Sequence, residues 1–319
     1  MKKITLSGLL IFLASITFGQ TSPISGTVTD EQGQPVPFVF IKDAQHNYAT
    51  YTGPDGTYKL NADPSSALMA TSNNYKESLV KIESQAKVDI VMHPGGTAGT
   101  NAGSTADAFA VTEIGTKGKD TQPMAQFGTT KEELHGSPYL FTNWVHGYAI
   151  TTADSIKQND SYLFNYEKTT GLLLYTAGGN AMKAVNKEEI KGFTLFDEKG
   201  QPYIFEDVPV VNKKVFVQVL SSGSKYIIYK DINTKFHKAD FTTNGITSSG
   251  NNYDSYDDNS NYYLVTQPNG TPVKFSLKRS AIKKIFGADA AKVNQFISAH
   301  DSDEVDDIYL EKLGDFMNN

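Results

Sequence analysis

The chain has 319 residues, which favours two domains, since single domains commonly contain about 100–200 residues. Hydrophobic residues make up 39% of the chain and aromatic residues 11%, which excludes a wholly disordered protein. The formal net charge of −6, with no dense basic run, argues against a nucleic-acid partner, because phosphate backbones select clustered lysine and arginine.

The chain contains no cysteine. Disulfides, cysteine–zinc sites and a thiolate nucleophile are therefore excluded, and so is a lipid carried on an N-terminal cysteine. We expect the fold to be held together by burial of its core alone.

The N-terminal segment predicts export from the cell. Two lysines at positions 2 and 3 precede an apolar, uncharged run from Ile4 to Phe18, and small residues before Gln20 supply a cleavage site. This pattern is typical of a secretory signal peptide over residues 1–19. We expect a periplasmic, outer-membrane-associated or extracellular protein, and no other stretch approaches the ~20 apolar residues of a membrane span.

Residues 20–94 alternate short apolar strands with turn residues. The stretch ISGTVTD places Ile24, Gly26 and Val28 on one face, and the turn EQGQPVP leads to the apolar strand FVFIKD. The segments YATYT, GPDGTYKL, SALMATS, ESLVKI and AKVDIVMHP continue the series, with Pro-Asp-Gly as a turn signal. About seven short strands at regular spacing predict a β-sandwich.

The first turn of this region is acidic. Asp30 and Glu31 open the connection, Gly33 and Pro35 shape it, and Pro37 begins the next strand. Acidic side chains in such a turn are ordinarily solvated, so we interpret them as structural and not as catalytic.

Several positions of this region match a known pattern: Gly26-Thr27-Val28, Asp30, Gly33, Pro35, Pro37, Asp55-Gly56, Tyr58 and Tyr75. On these positions residues 22–94 resemble the carboxypeptidase regulatory-like domain, a seven-stranded transthyretin-like β-sandwich found in exported bacterial proteins. Phe38 departs from the pattern, because a small residue is common there, and Asn74 stands where a glycine usually precedes the tyrosine. The resemblance implies the fold of an exported module of Gram-negative bacteria and implies no enzymatic activity.

Residues 95–124 have the composition of a linker. The segment is rich in Gly, Thr, Ala and Ser and carries few large apolar residues. Such a chain of about thirty residues is flexible and separates its ends by roughly 30 Å on average. We therefore expect the two domains to move independently.

The second domain, residues 125–319, is predicted to be α+β, with an antiparallel β-rich body before helices. Four stretches read as hairpins: GLLLYTAGGNAMKAV, IKGFTLFDEKGQPYIFEDV, KVFVQVLSSGSKYIIYKD and NYYLVTQPNGTPVKFSL. In the third, Val215, Val217 and Val219 alternate, which predicts a strand with one buried face.

The last forty residues change to a helical period. Apolar residues recur at i, i+3 and i+4 at three places: Ile282, Ile285, Phe286; Val293, Phe296, Ile297; and Val305, Ile308, Tyr309, Leu313. This spacing predicts two or three amphipathic helices, with Asp301 to Asp303 able to cap the last one. Their apolar faces are expected to pack on this domain or on a partner.

No recognised catalytic motif is present. The six histidines show no His-x-x-x-His pair, and neither a Gly-x-Ser-x-Gly elbow nor a phosphate-binding loop occurs. A triad of Ser137, His146 and Asp154 can be written down, but such trios arise by chance in most chains of this length. The sequence therefore predicts a protein that is not an enzyme and has no cofactor.

The polar loop at residues 249–261 is the only candidate for cation binding. Asp254, Asp257, Asp258 and Asn259 offer oxygen ligands, but the alternating calcium-loop pattern with its distal glutamate is missing. We interpret the segment as a solvated loop and predict no metal site.

One aromatic cluster is a candidate binding surface. The stretch SPYLFTNWVHGY contains Tyr139, Phe141, Trp144 and Tyr148, and Trp144 is the only tryptophan of the chain. Exposed aromatic rings stack on sugar rings, so these residues form the predicted ligand-binding site if they lie on the surface. The alternative is that they belong to a core strand.

The sequence as a whole favours an exported, non-enzymatic binding or structural protein of the bacterial cell envelope. Its partner is expected to be an envelope protein or a glycan. Two alternatives stay open: a carbohydrate-binding protein that uses the aromatic cluster, and a secreted hydrolase whose catalytic residues are scattered along the sequence.

Overall fold

The computed structural model describes residues 21–95, 111–112, 134–177, 182–243 and 247–319. The predicted signal peptide lies outside these residues. The described chain consists mainly of β-strands and ends in three helices, as the sequence predicts. None of the helices in these ranges is long and apolar enough to cross a bilayer.

The first domain is a sandwich of two sheets. One sheet has the order β4-β1-β7 and the other β3-β2-β5-β6. Strand β1 pairs antiparallel with β4 and parallel with β7. The seven strands are β1 (Ser22–Thr29), β2 (Phe40–Asp43), β3 (Ala49–Tyr51), β4 (Thr57–Ala62), β5 (Ala67–Thr71), β6 (Ser78–Lys81) and β7 (Ile90–Val91).

The core of the sandwich follows from alternation along its strands. Ile24, Gly26 and Val28 share one face, as predicted; this face is buried, and Leu60 lies opposite it on β4. Gly26 is required by close approach, because a Cβ atom there would lie 1.9 Å from the carbonyl oxygen of Val88. Because side chains alternate along a strand, the residues between the buried positions of β1 and β4 lie on the outer face of this sheet.

The acidic turn after β1 has the predicted structural role. One carboxylate oxygen of Asp30 accepts hydrogen bonds from the backbone N–H groups of Gln32 (2.9 Å) and Gln34 (2.8 Å). Glu31 contacts the imidazole of His93 at 2.8 Å. Both acidic residues of the turn thus have partners close to the strand ends.

The second domain is organised around an eight-stranded sheet in the order β10-β9-β14-β15-β16-β17-β22-β23, with antiparallel neighbours throughout. Its strands are β9 (His146–Thr151), β10 (Ile156–Lys157), β14 (Ile190–Phe196), β15 (Pro202–Glu206), β16 (Val217–Ser222), β17 (Tyr226–Asp231), β22 (Asn261–Thr266) and β23 (Val273–Phe275). The pairs β14–β15, β16–β17 and β22–β23 confirm three of the predicted hairpins.

Smaller sheets complete the β-structure. A four-stranded sheet has the order β11-β12-β13-β8, and the β12–β13 pair confirms the fourth predicted hairpin. Its strands are β8 (Val111–Thr112), β11 (Leu163–Glu167), β12 (Leu172–Thr176) and β13 (Lys183–Val185). Two-stranded ribbons are formed by β18 (Thr234–His237) with β21 (Ser255–Asp258) and by β19 (Thr242–Thr243) with β20 (Ser248–Ser249).

One part of the predicted linker belongs to a sheet. Val111 and Thr112 pair antiparallel with Val185 and Ala184 at the edge of the four-stranded sheet. Apart from these residues and Gly95, the segment 95–124 lies outside the described residues.

One face of the eight-stranded sheet is covered by two different parts of the domain, the four-stranded sheet and the helices. Residues opposite each other on neighbouring strands share a face, and one such row is Phe193, Phe205, Gln218, Lys230, Tyr262 and Phe275. Phe193 and Phe205 pack with residues of the four-stranded sheet. Tyr262 and Phe275 pack with residues of the helices. Polar Gln218 and Lys230 lie in the middle of the row, between the two apolar pairs.

The three helices pack on their own domain. They are α1 (Arg279–Ile285), α2 (Ala290–Ala299) and α3 (Asp307–Asn318). Most of the predicted apolar positions share one buried cluster with the strands, which decides between the two expectations for these faces. Ile308 is the exception, since it is 59% exposed.

The predicted cap of the last helix is wrong. Asp306, and not Asp301 to Asp303, accepts a hydrogen bond from the N–H of Tyr309 at 2.8 Å. Asp303 instead contacts the imidazole of His300 at 3.0 Å, in the turn between α2 and α3. The helix therefore begins several residues later than the sequence pattern suggests.

Candidate functional site

The sandwich docks on the second domain through aromatic side chains. Phe40 and Tyr51 of the sandwich form one buried cluster with Tyr148 and Phe196 of the eight-stranded sheet. The ring centroids of Phe40 and Tyr148 are 5.9 Å apart, and those of Tyr51 and Phe196 are 5.1 Å apart in an edge-to-face arrangement. The two domains are therefore packed together, which differs from the expectation of independent movement.

Hydrogen bonds across the interface fix the orientation of these rings. The hydroxyl of Tyr51 donates to the carbonyl oxygen of Gly147 (3.3 Å) and accepts from the amide of Gln158 (3.1 Å). The hydroxyl of Tyr148 donates to the carbonyl oxygen of Ala49 at 3.1 Å. Burial raises the pKa of both phenols, so both keep the proton that they donate.

Two turns meet beside the aromatic cluster. Gly200, in the β14–β15 turn, has φ = 78°, and a Cβ atom there would lie 2.8 Å from the Cα of Gly53 in the sandwich. Only glycine allows both this backbone conformation and this close approach. The contact brings the turn of the second domain against the edge of the sandwich.

A cleft of about 1000 Å³ opens between the sandwich and this turn. One wall is the outer face of the β4-β1-β7 sheet, where Ser25, Thr27 and Thr57 present hydroxyl groups. The opposite wall is the turn at residues 199–202. Clefts between domains are preferred places for ligands, which makes this one the candidate functional site.

The lining of the cleft is positively charged. It includes Lys59, Lys87 and Lys199 but a single carboxylate, that of Asp55. The ammonium group of Lys87 lies 2.9 Å from Asp89, whereas Lys59 and Lys199 have no carboxylate within 4 Å among the described residues. Two cations are thus left for a ligand in a protein whose net charge is negative.

The single carboxylate of the lining is already used. Asp55 accepts hydrogen bonds from the hydroxyl (2.7 Å) and the backbone N–H (3.0 Å) of Thr57. These bonds hold the pKa of Asp55 below its usual value, so it stays ionised and acts as a turn residue. The described lining contains no histidine or glutamate beside it. Its chemistry is that of hydrogen bonding and anion attraction.

The predicted aromatic site does not form a single surface. Tyr148 is 8% exposed and belongs to the domain interface. Phe141 is partly buried and makes an edge-to-face contact with Tyr203, at 5.0 Å between centroids. Tyr139 is half-buried and bridges to Glu167, and Trp144 is half-buried in the following loop.

A buried asparagine explains why this segment takes its path. The side-chain amide of Asn165 accepts from the N–H of Phe141 (3.2 Å) and donates to the carbonyl oxygen of the same residue (2.8 Å). Val145 then pairs with Phe164, which precedes Asn165 on strand β11. The segment is thus tied to β11, while Tyr139, Phe141 and Trp144 keep part of their surface exposed.

The triad written from the sequence is not assembled. His146 stacks on Phe38 at 5.0 Å within the domain interface, and its buried Nδ1 has no hydrogen-bond partner among the described residues. Burial lowers the pKa of His146. Asp154 pairs with Lys191, and the hydroxyl of Ser137 accepts from the N–H of Tyr139.

The acidic residues of the loop at 249–261 have protein partners. Asp258 binds the ammonium group of Lys168 at 2.7 Å, and Asp257 lies 3.6 Å from His237. Asp254 accepts from the N–H of Ala239 at 2.8 Å. Within the described part of the chain, no group of three or more His, Cys, Asp or Glu residues is placed to hold a metal ion.

Sequence reasoning did not find the lysines of the cleft. Alternation along β4 leaves Lys59 on the outer face, but nothing local indicates that Lys199 lies across from it. The two residues are far apart in sequence and meet only through docking of the domains. Surface lysines carry no signal of their own in a sequence.

Comparison of the chain with protein-family models gave no match, and comparison with curated proteins gave no significant match. The resemblance of residues 22–94 to the carboxypeptidase regulatory-like domain therefore stays a prediction from the residues that carry it.

Proposed function

We propose that this protein is an exported, non-enzymatic binding protein whose interdomain cleft holds a small anionic, hydroxyl-rich ligand, such as an acidic sugar. The observation that carries the proposal is that Lys59 and Lys199, which have no carboxylate partner among the described residues, lie on opposite walls of one cleft. An ammonium group favours a carboxylate, and the hydroxyls of Ser25, Thr27 and Thr57 suit sugar hydroxyls. A glycan of the cell envelope fits this description.

The test is a calorimetric titration of the mature chain with a uronic-acid oligomer and with a neutral oligosaccharide of the same length. The double variant Lys59→Gln/Lys199→Gln should weaken binding of the acidic ligand by about tenfold or more, since each hydrogen bond to a charged group contributes roughly 1.5–3 kcal/mol. Lys81→Gln, an exposed change on the same sandwich outside the cleft, should leave the affinity unchanged.

Two outcomes would contradict this assignment. Equal binding of the acidic and neutral ligands would show that charge does not select the ligand. Unchanged affinity in the double variant would remove the cleft from the binding site. If Trp144→Ala abolished binding instead, the carbohydrate-binding alternative based on the aromatic segment would be favoured.

Export is the second part of the proposal and is supported by the pattern of residues 1–19. Mass spectrometry of the protein recovered from its native host should find an N-terminus at Gln20. Recovery of the chain with Met1 intact, from the cytoplasm, would overturn this part.

A further inference from the structure

A second cleft, of about 750 Å³, lies at the start of helix α3. Its floor is the covered face of the eight-stranded sheet, where Tyr203, Gln218 and Tyr262 come from β15, β16 and β22. The turn after β14 and the residues before α3 form its sides. No sequence pattern indicates this cleft, and its lining shares Lys199, Gln201 and Pro202 with the cleft proposed to hold an anion.

The lining of this second cleft is strongly acidic. Among the described residues, its carboxylates are those of Asp197, Glu304, Asp306, Asp307 and Glu311, and the one cation in the lining is Lys199. We call it the acidic cleft.

Three of the five carboxylates already have protein partners. Asp197 accepts two backbone N–H groups of its own turn, and Asp306 caps α3. Asp307 accepts from the hydroxyl of Tyr262 (2.9 Å) and lies 2.5 Å from the ammonium group of Lys230.

The other two carboxylates are free to meet a ligand. Glu304 and Glu311 have no cation within 4 Å among the described residues. Partial desolvation, together with repulsion from Asp307, Asp315 and Asp306, raises the pKa of Glu311 against the opposing attraction of Lys230. A bound cation would relieve this repulsion.

An independent observation points to a ligand. Gln218 lines the acidic cleft from the middle of the sheet and is 6% exposed, yet its side-chain amide has no hydrogen-bond partner in the described part of the chain. Its amide atoms are not among the fully buried side-chain atoms that lack a partner in the described residues, so the amide of this otherwise buried side chain reaches the open space of the cleft, where a ligand can pair with it. The row of cross-strand neighbours explains its position, because Phe205 and Lys230 flank it on the same face.

The form of the cleft indicates which cation fits. Leu277, Val305 and the phenol rings of Tyr203 and Tyr262 supply apolar walls beside the carboxylates. The carboxylates do not gather into a cluster of the kind that holds a metal ion within the described residues. Methylene groups between ammonium groups would contact these walls, while the ammonium groups reach the carboxylates and the carbonyl oxygen of Gln218.

We propose that the acidic cleft binds a linear organic cation that carries several ammonium groups separated by methylene chains. The same chemistry is offered by a free polyamine and by consecutive lysine side chains of a peptide. Glu304 and Glu311 supply the charge, and the amide oxygen of Gln218 supplies an acceptor for a donor at the floor of the cleft.

The test titrates the full mature chain with spermidine and, separately, with an acetylated trilysine amide, by calorimetry at low salt. We expect at least one of them to bind with a 1:1 stoichiometry. Gln218→Leu should weaken binding by about tenfold, because it removes a hydrogen bond to a charged donor. Glu304→Gln/Glu311→Gln should weaken it by about fivefold to tenfold, as expected for two partly screened ion pairs.

The matched control is Glu77→Gln/Glu83→Gln, which removes two exposed carboxylates of the sandwich and changes the net charge equally. It should leave the affinity within about twofold, because the charges are remote and screened by salt. The glutamate variants alter surface residues outside the core, so they remain informative even if Gln218→Leu fails to fold.

The source of the cation is decided by which probe binds. Binding of spermidine alone indicates a free polyamine, and binding of the trilysine amide alone indicates a basic peptide. Failure of both probes to bind the wild-type chain overturns the proposal. Equal weakening by the control and by the acidic-cleft variant also overturns it, since binding would then reflect net charge only.

Discussion

Replacing Phe40 by alanine tests whether the sandwich and the second domain are held together by their aromatic contact. Strand β2 alternates, so that Ile41 points into the core of the sandwich while Phe40 lies in the cluster between the domains. The substitution therefore acts on docking and leaves the core of the sandwich intact. In an undocked sandwich the same ring would be exposed to water.

The size of the effect follows from the burial of this side chain. Phe40 is 3% exposed and packs on Tyr51 (5.2 Å between centroids) and Tyr148. Truncating a buried phenylalanine to alanine costs about 3–5 kcal/mol. Most of this falls on the docking equilibrium, and about 3 kcal/mol corresponds to a change of roughly a hundredfold.

Two measurements follow docking in the full mature chain. Small-angle X-ray scattering should give a larger radius of gyration for Phe40→Ala, and calorimetry should separate one unfolding transition into two. The control is Leu79→Ala, a change on the same sandwich at a side chain that is 64% exposed, which should shift stability by no more than about 0.5 kcal/mol. If Phe40→Ala keeps the wild-type radius and a single transition, the aromatic cluster does not hold the domains together.

Three further outcomes are expected. Asp43 is fully buried, and although burial alone would raise its pKa, four hydrogen bonds hold the pKa below its usual value. The contribution of Asp43 to stability is therefore present above the unfolded pKa of about 3.9, and it is lost as the pH falls through the folded pKa. In Asp43→Asn, the free energy of unfolding should accordingly no longer show this decrease at acidic pH. A pH profile like that of the wild type would contradict the role given to Asp43. Asp306→Ala removes the cap of α3 and should lower the free energy of unfolding by about 1 kcal/mol in denaturant titrations, whereas Asp301→Ala should not. Gly200→Val adds a Cβ atom against Gly53 at positive φ, so it should enlarge the radius of gyration as Phe40→Ala does, and a radius like that of the wild type would show that the turns can separate without loss of docking.

Local patterns were sufficient for the sandwich strands, four hairpins of the second domain and the C-terminal helices, but not for the other strands. Alternation and turn residues predicted the sandwich strands and the four hairpins, because the two-residue period and the turn geometry are properties of neighbouring residues. The helical spacing of residues such as Val293, Phe296 and Ile297 likewise predicted the C-terminal helices and their buried faces.

Such patterns could not predict that the second face of a strand is also buried. Alternation of Val217 and Val219 predicts that the residue between them, Gln218, faces water, yet it is buried beneath the covers of the sheet. The same limitation applies to Tyr148, which looked like part of an exposed aromatic surface and lies under the sandwich. A period tells which residues share a face, but it does not tell what covers that face.

The sequence by itself determined the mainly-β class, the order of the hairpins and the helical end of the chain. Only the tertiary structure decided where the clefts lie, because each one is built from residues that are distant in sequence. Lys59 and Lys199 line one cleft from the two sides of the domain interface. Gln218 and Glu311 line the other cleft, one from the sheet and one from a helix packed on it. These arrangements depend on how whole elements dock on one another, which is set by the summed burial of their faces. Docking of this kind leaves no local sequence pattern around the residues that line the clefts.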